Sequence, residues 1–127
     1  MRVYVDSDVL IWHLRGERKA TAVLRRLAGT ERLELWTGAM QRAEIIFFMR
    51  PDEETATLSL LSRLKTQPVP QPIVDLAGAF YRRWHRSHGI DINDALLAAS
   101  AATTGGKIVT QNIKHYPMPD AVAEKAW

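Results

Sequence analysis

Residues 2–10 read Arg-Val-Tyr-Val-Asp-Ser-Asp-Val-Leu, and this stretch decides the fold class. Arg2 to Val5 is β-branched and aromatic, short, and stops at an acid, which predicts a buried strand whose carboxyl end is Asp6. Ser7 and Asp8 carry short oxygen-bearing side chains suited to cap a following helix, which runs through Leu14 and stops near Gly16.

The same alternation continues downstream. A helix over Glu17 to Ala28 sets Ala20, Val23, Leu24 and Leu27 on one buried stripe, and Gly29 stops it. Leu33 to Thr37 reads as a second strand, and Gly38 leads into a helix from Ala39 to Met49 that ends before Pro51. A helix over Glu53 to Lys65 presents Leu58, Leu61 and Leu64. Gln-Pro-Val-Pro-Gln-Pro at 67–72 is then an extended connection inside a domain.

Ile73 to His88 forms the next helix, burying Leu76, Phe80, Tyr81 and Trp84 before Gly89. Asp91 or Asn93 opens a helix over Asp94 to Thr103, and Gly105 and Gly106 hand over to a third strand, Lys107 to Thr110. The segment 117–127 is open between a strand, a short helix and a frayed end, and Trp12 and Trp36 are assigned to the core. Strands joined by helical crossovers are parallel. The expected fold is therefore a single α/β domain over 1–127, a three-layer α/β/α sandwich around a short, mostly parallel sheet.

Composition narrows the chemistry. The chain has 127 residues and no cysteine, which excludes disulfides, thiolate zinc sites and cysteine nucleophiles and fits a reducing cytoplasm. Charge appears within the first eight residues, and no apolar run approaches the roughly 18 to 20 residues of a membrane span, so neither a secretion leader nor a membrane anchor is expected. Seventeen Lys and Arg against fourteen Asp and Glu give +3, with clusters at Arg25/Arg26 and at Arg82/Arg83/Arg86. These arginines suit a polyanionic partner, or simply solvated helix faces.

Three acids stand where their surroundings ask for a role. In open α/β sheets ligands gather beyond the carboxyl ends of the strands, where Asp6 and Thr110 fall. Glu44 shares its helix face with Met40, Phe47 and Phe48, so it needs either a cation in a site or an arginine partner. Asp94 opens a small-residue helix, and both it and Asp91 have the alternative of being helix-start residues that favour the macrodipole.

Three carboxylates from three elements suit a hard cation, Mg²⁺ or Mn²⁺, which keeps waters for chemistry on a phosphodiester. Histidine offers no competing site, because His85 and His88 share a helix face without a third ligand.

Val-Tyr-Val-Asp-Ser-Asp-Val-Leu-Ile at 3–11, Ala-Glu-Ile at 43–45, Asp-Ala-Leu-Leu-Ala-Ala-Ser-Ala-Ala at 94–102 and Gly-Gly-Lys-Ile-Val-Thr-Gln-Asn-Ile-Lys-His-Tyr at 105–116 together resemble a PIN domain. More narrowly, their order resembles the VapC-like toxins of toxin–antitoxin pairs. The resemblance implies a Mg²⁺-dependent endoribonuclease that acts on RNA, partners a cognate antitoxin and forms homodimers.

By the same resemblance Asp6, Glu44 and Asp94 are the catalytic and metal-holding acids. Ser7, Thr110 and Asn112 are supporting groups that orient acids or waters. Two departures stand out: Asp8 replaces the family's usual Asn or other small polar residue, and Asn112 stands where some PIN nucleases carry a fourth acid. The second implies weaker occupancy of a second metal, with Asp91 either substituting in part or serving as a helix cap.

Two other classes compete. Asp6-Ser7-Asp8-Val9-Leu10 also resembles the nucleophile motif of haloacid-dehalogenase-type phosphatases, in which Asp6 would attack phosphorus and Asp8 would act as general acid and base. A non-catalytic module that binds RNA or an antitoxin is the other. A phospho-receiver domain fits poorly, since the mid-chain Asp52 follows a proline in a polar turn.

Overall fold

The computed structural model describes residues 1–127 and resolves them into five strands and six α-helices. In chain order these are β1 Arg2–Val5, α1 Ser7–Leu14, α2 Arg18–Ala28, β2 Glu34–Gly38 and α3 Ala39–Phe48. Then come α4 Glu54–Leu61, β3 Lys65–Gln67, α5 Gln71–His88, α6 Ile92–Thr104, β4 Lys107–Thr110 and β5 Val122–Lys125. Single 3₁₀ turns occupy Pro51–Glu53 and Ile113–His115.

The sheet order is β3-β2-β1-β4-β5 and every pairing is parallel, with Tyr4 opposite Trp36 and Val5 opposite Val109. Chain order runs outward from β1 in one direction through β2 and β3, then resumes on the other side with β4. That reversal opens a crevice outside the carboxyl ends of β1 and β4, the place where such sheets take ligands.

Alternation along the central strands divides the core between the two faces of the sheet. Val3, Val5 and Val109 face Val9, Leu10, Val23, Leu24, Leu27 and Leu61 from α1, α2 and α4. Tyr4 and Ile108 face Ile73, Ala77 and Phe80 of α5 and Ala95, Ala98 and Ala99 of α6. The small residues of α6 let its backbone lie close to the sheet and to α5. Gly89 and Gly105, with φ of 64° and 73°, end α5 and α6 in the left-handed conformation that glycine adopts without strain.

The layers are those expected, but several local assignments change. Sheet edge β3 is not among the expected strands and β5 settles the open segment 117–127 as a strand; Lys-Thr-Gln and Val-Ala-Glu-Lys carry little apolar signal and owe their extension to pairing with β2 and β4. The helix expected over Glu53 to Lys65 is accordingly shorter. Phe47 and Phe48 are 79% and 83% exposed, so the apolar face expected around Glu44 is on the outside of the protein. Trp12, at 45% exposure, is also no core residue, whereas Trp36 packs against Tyr4. No helix is long and apolar enough to cross a membrane.

Candidate active site

Asp6 lies just beyond β1, and its backbone N–H donates to Val109 O at 3.0 Å, which locks it between the two central strands. Its side chain is nearly buried and accepts three hydrogen bonds. Oδ1 takes Ser7 N at 2.8 Å, while Oδ2 takes the Thr110 hydroxyl at 2.9 Å and the Tyr116 hydroxyl at 2.7 Å. Asp6 is therefore itself the cap of α1, the job the sequence had suggested for Ser7 or Asp8. A strand tip and a helix start coincide at this residue, so capping and facing the crevice are compatible.

Ser7 turns its hydroxyl outward to Glu44 Oε2 at 3.2 Å, and Asn93 Nδ2 donates to Glu44 Oε1 at 3.1 Å. Glu44 thus has no arginine partner. It is held by neutral donors from α1 and α6. Gln41, one turn earlier on α3 and fully buried, donates from Nε2 to Asn93 O at 3.1 Å and fastens the start of α6 to α3.

Asp94 accepts from Asp91 N at 3.0 Å through Oδ2, and Asp94 N donates to Asp91 Oδ1 at 2.7 Å, a reciprocal capping box. Its Oδ2 also lies 3.3 Å from His115 Nδ1, and its Oδ1 lies 3.5 Å from the Tyr116 hydroxyl. Thr110 accepts from Asn112 N at 3.0 Å, so Asn112 acts through its backbone and makes no side-chain bond to the acids. Asp8 turns toward β4, accepting from Gln111 N at 2.9 Å and from Val9 N at 2.7 Å.

The crevice thus brings Asp6 and Asp94 onto opposite sides of one tyrosine hydroxyl and connects Glu44 to them through Ser7 and Asn93. The three acids belong to one hydrogen-bonded network, but no group of three acidic or histidine side chains is gathered closely enough to form a ready-made ion cage. The expectation of three carboxylates meeting at a single spot is corrected to that extent. Tyr116, Asn93, Gln41 and His115 escaped the sequence reading. An aromatic and a histidine in a turn after the last central strand have no periodicity to announce them.

Electrostatics single out the same place. Burial, reinforced by repulsion between the acids, raises the carboxyl pKa of Asp6 and Glu44 above the ordinary range. The same causes raise Asp8 to about 6 and Asp94 to about 7. Burial likewise pushes Tyr116 well above the usual phenol value. No lysine or arginine forms an ion pair with any of these acids. Four carboxyl groups crowded in a partly dry crevice without a fixed cation are poised for a mobile one.

A divalent cation fits this donor set. The acids offer only oxygens, and each of the three keeps unfilled acceptor capacity: Asp6 and Asp94 on Oδ1, and Glu44 on both oxygens.

Fold and site define a parallel α/β protein with a buried acidic centre at the switch point of its sheet. Residues 3–119 match the PIN domain, and the chain belongs to the PIN-domain family. It is 37% identical over 117 residues to Ribonuclease VapC10 of Mycobacterium tuberculosis, covering 91% of this chain and 86% of that protein. Ribonuclease VapC19 of the same organism is 32% identical over 118 residues, 91% of this chain and 94% of that one.

Among solved structures, the fold is similar to a chain of VapBC2 from Rickettsia felis, described as bound to a DNA fragment from their promoter. The TM-score is 0.81 at 20% identity, covering 100% of this chain and 99% of that chain. A chain of VapBC-1 from nontypeable Haemophilus influenzae gives 0.81 at 18% identity, over 99% and 98%. At such identities these structures establish the fold alone.

Proposed function

We propose that the protein is a divalent-cation-dependent endoribonuclease, the toxin of a toxin–antitoxin pair, with Asp6, Glu44 and Asp94 as its catalytic acids. The observation that carries the reading is the shared network of these acids at the β1–β4 crevice, with no lysine or arginine paired to any of them and only His115 beside Asp94. The named ribonuclease activity of relatives 37% and 32% identical supports it.

In this reading Asp6 and Asp94 would hold Mg²⁺, for which Mn²⁺ would substitute, and Glu44 would complete the pocket directly or through a water. The bound ion would supply Lewis acidity toward a phosphoryl oxygen and lower the pKa of water. The protein's own part is positional. Ser7 and Thr110 fix the orientation of Glu44 and Asp6, and the Asn112 backbone fixes Thr110. Glu44, its carboxyl pKa raised by burial, is placed to take a proton from water. Arg15, which lines the same cavity as Glu44, would grip the RNA backbone without sequence choice. Residues 1–127 would act as one domain in the cytoplasm, as a homodimer restrained by a cognate antitoxin. The description of similar folds as toxin–antitoxin complexes supports the last partner.

The phosphatase alternative requires Asp6 to attack phosphorus. With its side chain buried and three hydrogen bonds in place, Asp6 is poorly exposed for that. Incubating the purified protein with a structured RNA in Mg²⁺ and in EDTA tests the proposal. Internal cleavage in Mg²⁺ is expected, with loss in EDTA and in Asp6→Asn. Turnover of a small phosphomonoester would favour the phosphatase, and RNA binding without cleavage would favour a non-catalytic module.

A further inference from the structure

Tyr116 stands between the two acids assigned to the cation, and its geometry is that of a spacer. A phenol carries one proton. The 2.7 Å distance to Asp6 Oδ2 assigns that proton to Asp6, so Asp94 Oδ1, at 3.5 Å, faces the oxygen of the same hydroxyl.

The hydroxyl is not free to leave. Tyr116 is 6% exposed, its ring belongs to the core on the α5–α6 side with Met118 and Ala121, and its backbone N–H donates to Ile113 O at 3.1 Å. Swinging it out would unpack that layer.

Asp6 Oδ2 is filled by Thr110 and Tyr116, and Asp94 Oδ2 is occupied by Asp91 N and His115 Nδ1. What remains on both acids is Oδ1. Asp6 Oδ1 bonds only Ser7 N, and Asp94 Oδ1 has only the tyrosine oxygen near it.

We propose that Tyr116 is a positioning residue: its hydroxyl, wedged between Asp6 and Asp94, fixes their spacing and leaves Oδ1 of each available to a divalent cation. This rests on the ribonuclease reading above. Phenylalanine at this position would keep the ring packing but leave two acids facing each other with nothing between them.

The test compares Tyr116→Phe with Thr110→Val. Thr110→Val removes the other hydroxyl on Asp6 Oδ2 and leaves the Asp94 side of the wedge intact. Mn²⁺ binding is read by electron paramagnetic resonance of the free ion, alongside RNA cleavage at rising Mn²⁺ and thermal melting.

Tyr116→Phe is expected to melt within a few degrees of wild type and to bind Mn²⁺ about 10-fold or more weakly, as loss of an orienting partner does. Its kcat should recover toward wild type at saturating Mn²⁺ with KM for RNA unchanged, which a packing defect would not give. Thr110→Val should weaken Mn²⁺ binding less. Equal Mn²⁺ affinity in Tyr116→Phe and wild type overturns the proposal, as does a Thr110→Val loss as large as that of Tyr116→Phe. Wild-type protein that binds no Mn²⁺ removes the ribonuclease reading itself and this inference with it.

Discussion

Asp91 and Asp94 cap one another, each backbone N–H donating to the other's carboxylate at 3.0 and 2.7 Å, at the start of the helix that brings Asp94 into the acidic crevice. The bond from Asp91 N holds Asp94 Oδ2 and leaves its Oδ1 toward Tyr116. Helix capping and site building are therefore not rival roles for Asp94. They are one arrangement.

For Asp91 this separates two functions. Asp91→Ser keeps an oxygen acceptor for Asp94 N and should retain both stability and cleavage. Asp91→Ala loses the cap, and a stability decrease of about 1 kcal/mol is expected in denaturant titration. Activity should largely survive, because the bond that holds Asp94 Oδ2 comes from the backbone N–H of residue 91, which the substitution keeps. A large loss of cleavage in a stable Asp91→Ser would instead assign Asp91 a direct part in the chemistry.

The crowded acids also predict an unusual pH response. Asp8 at about 6 and Asp94 at about 7 lie above the unfolded value of 3.8, so in this window the folded chain binds more protons than the unfolded one. Stability contributed by these groups is complete below pH 3.8 and is lost as pH rises through about 6 and 7. Between pH 5 and pH 8 the metal-free protein should lose several degrees in Tm, at roughly 4 °C per kcal/mol. Adding Mg²⁺ at pH 8 should restore much of it. A flat metal-free profile would show that burial and mutual repulsion do not raise these carboxyls as described.

Asp8 isolates one component. Asp8→Asn removes a buried like charge beside Asp6 while leaving an amide oxygen to accept from Val9 N or Gln111 N. Tm at pH 8 should rise by about 2–5 °C, consistent with removal of about 1 kcal/mol of charge burial and repulsion, and cleavage should survive. Loss of cleavage in the folded variant would bring Asp8 into the catalytic set.

Gln41 tests the scaffold behind the acids. Gln41→Leu deletes the bond from Nε2 to Asn93 O that fastens α6 to α3, and with it the constraint on Asn93 beside Glu44. Cleavage should fall roughly 10–100-fold, as for other orienting partners, with Glu44 still present. Unchanged kinetics would mean that Asn93 is held well enough by its own helix.

Much of this was legible in the chain itself. Val3, Val5, Ile108 and Val109 announce central strands because burial on both faces demands apolar residues, and the first polar residues after them, Asp6 and Thr110, mark the crevice. What stayed hidden is what tertiary pairing alone creates. Lys65–Gln67 and Val122–Lys125 are strands because a neighbour offers an unpaired edge. Phe47 and Phe48 imitate a core face that faces out, and Tyr116 acquires its meaning only where residues 6 and 94 arrive from far along the chain.

The most direct test is crystallographic. Crystals soaked in Mn²⁺ should give an anomalous difference peak in the β1–β4 crevice, about 2.1 Å from an oxygen of Asp6 and one of Asp94, with Glu44 in contact directly or through one water. A map without such a peak at saturating Mn²⁺, the two carboxylates still resting on Tyr116, would contradict the account.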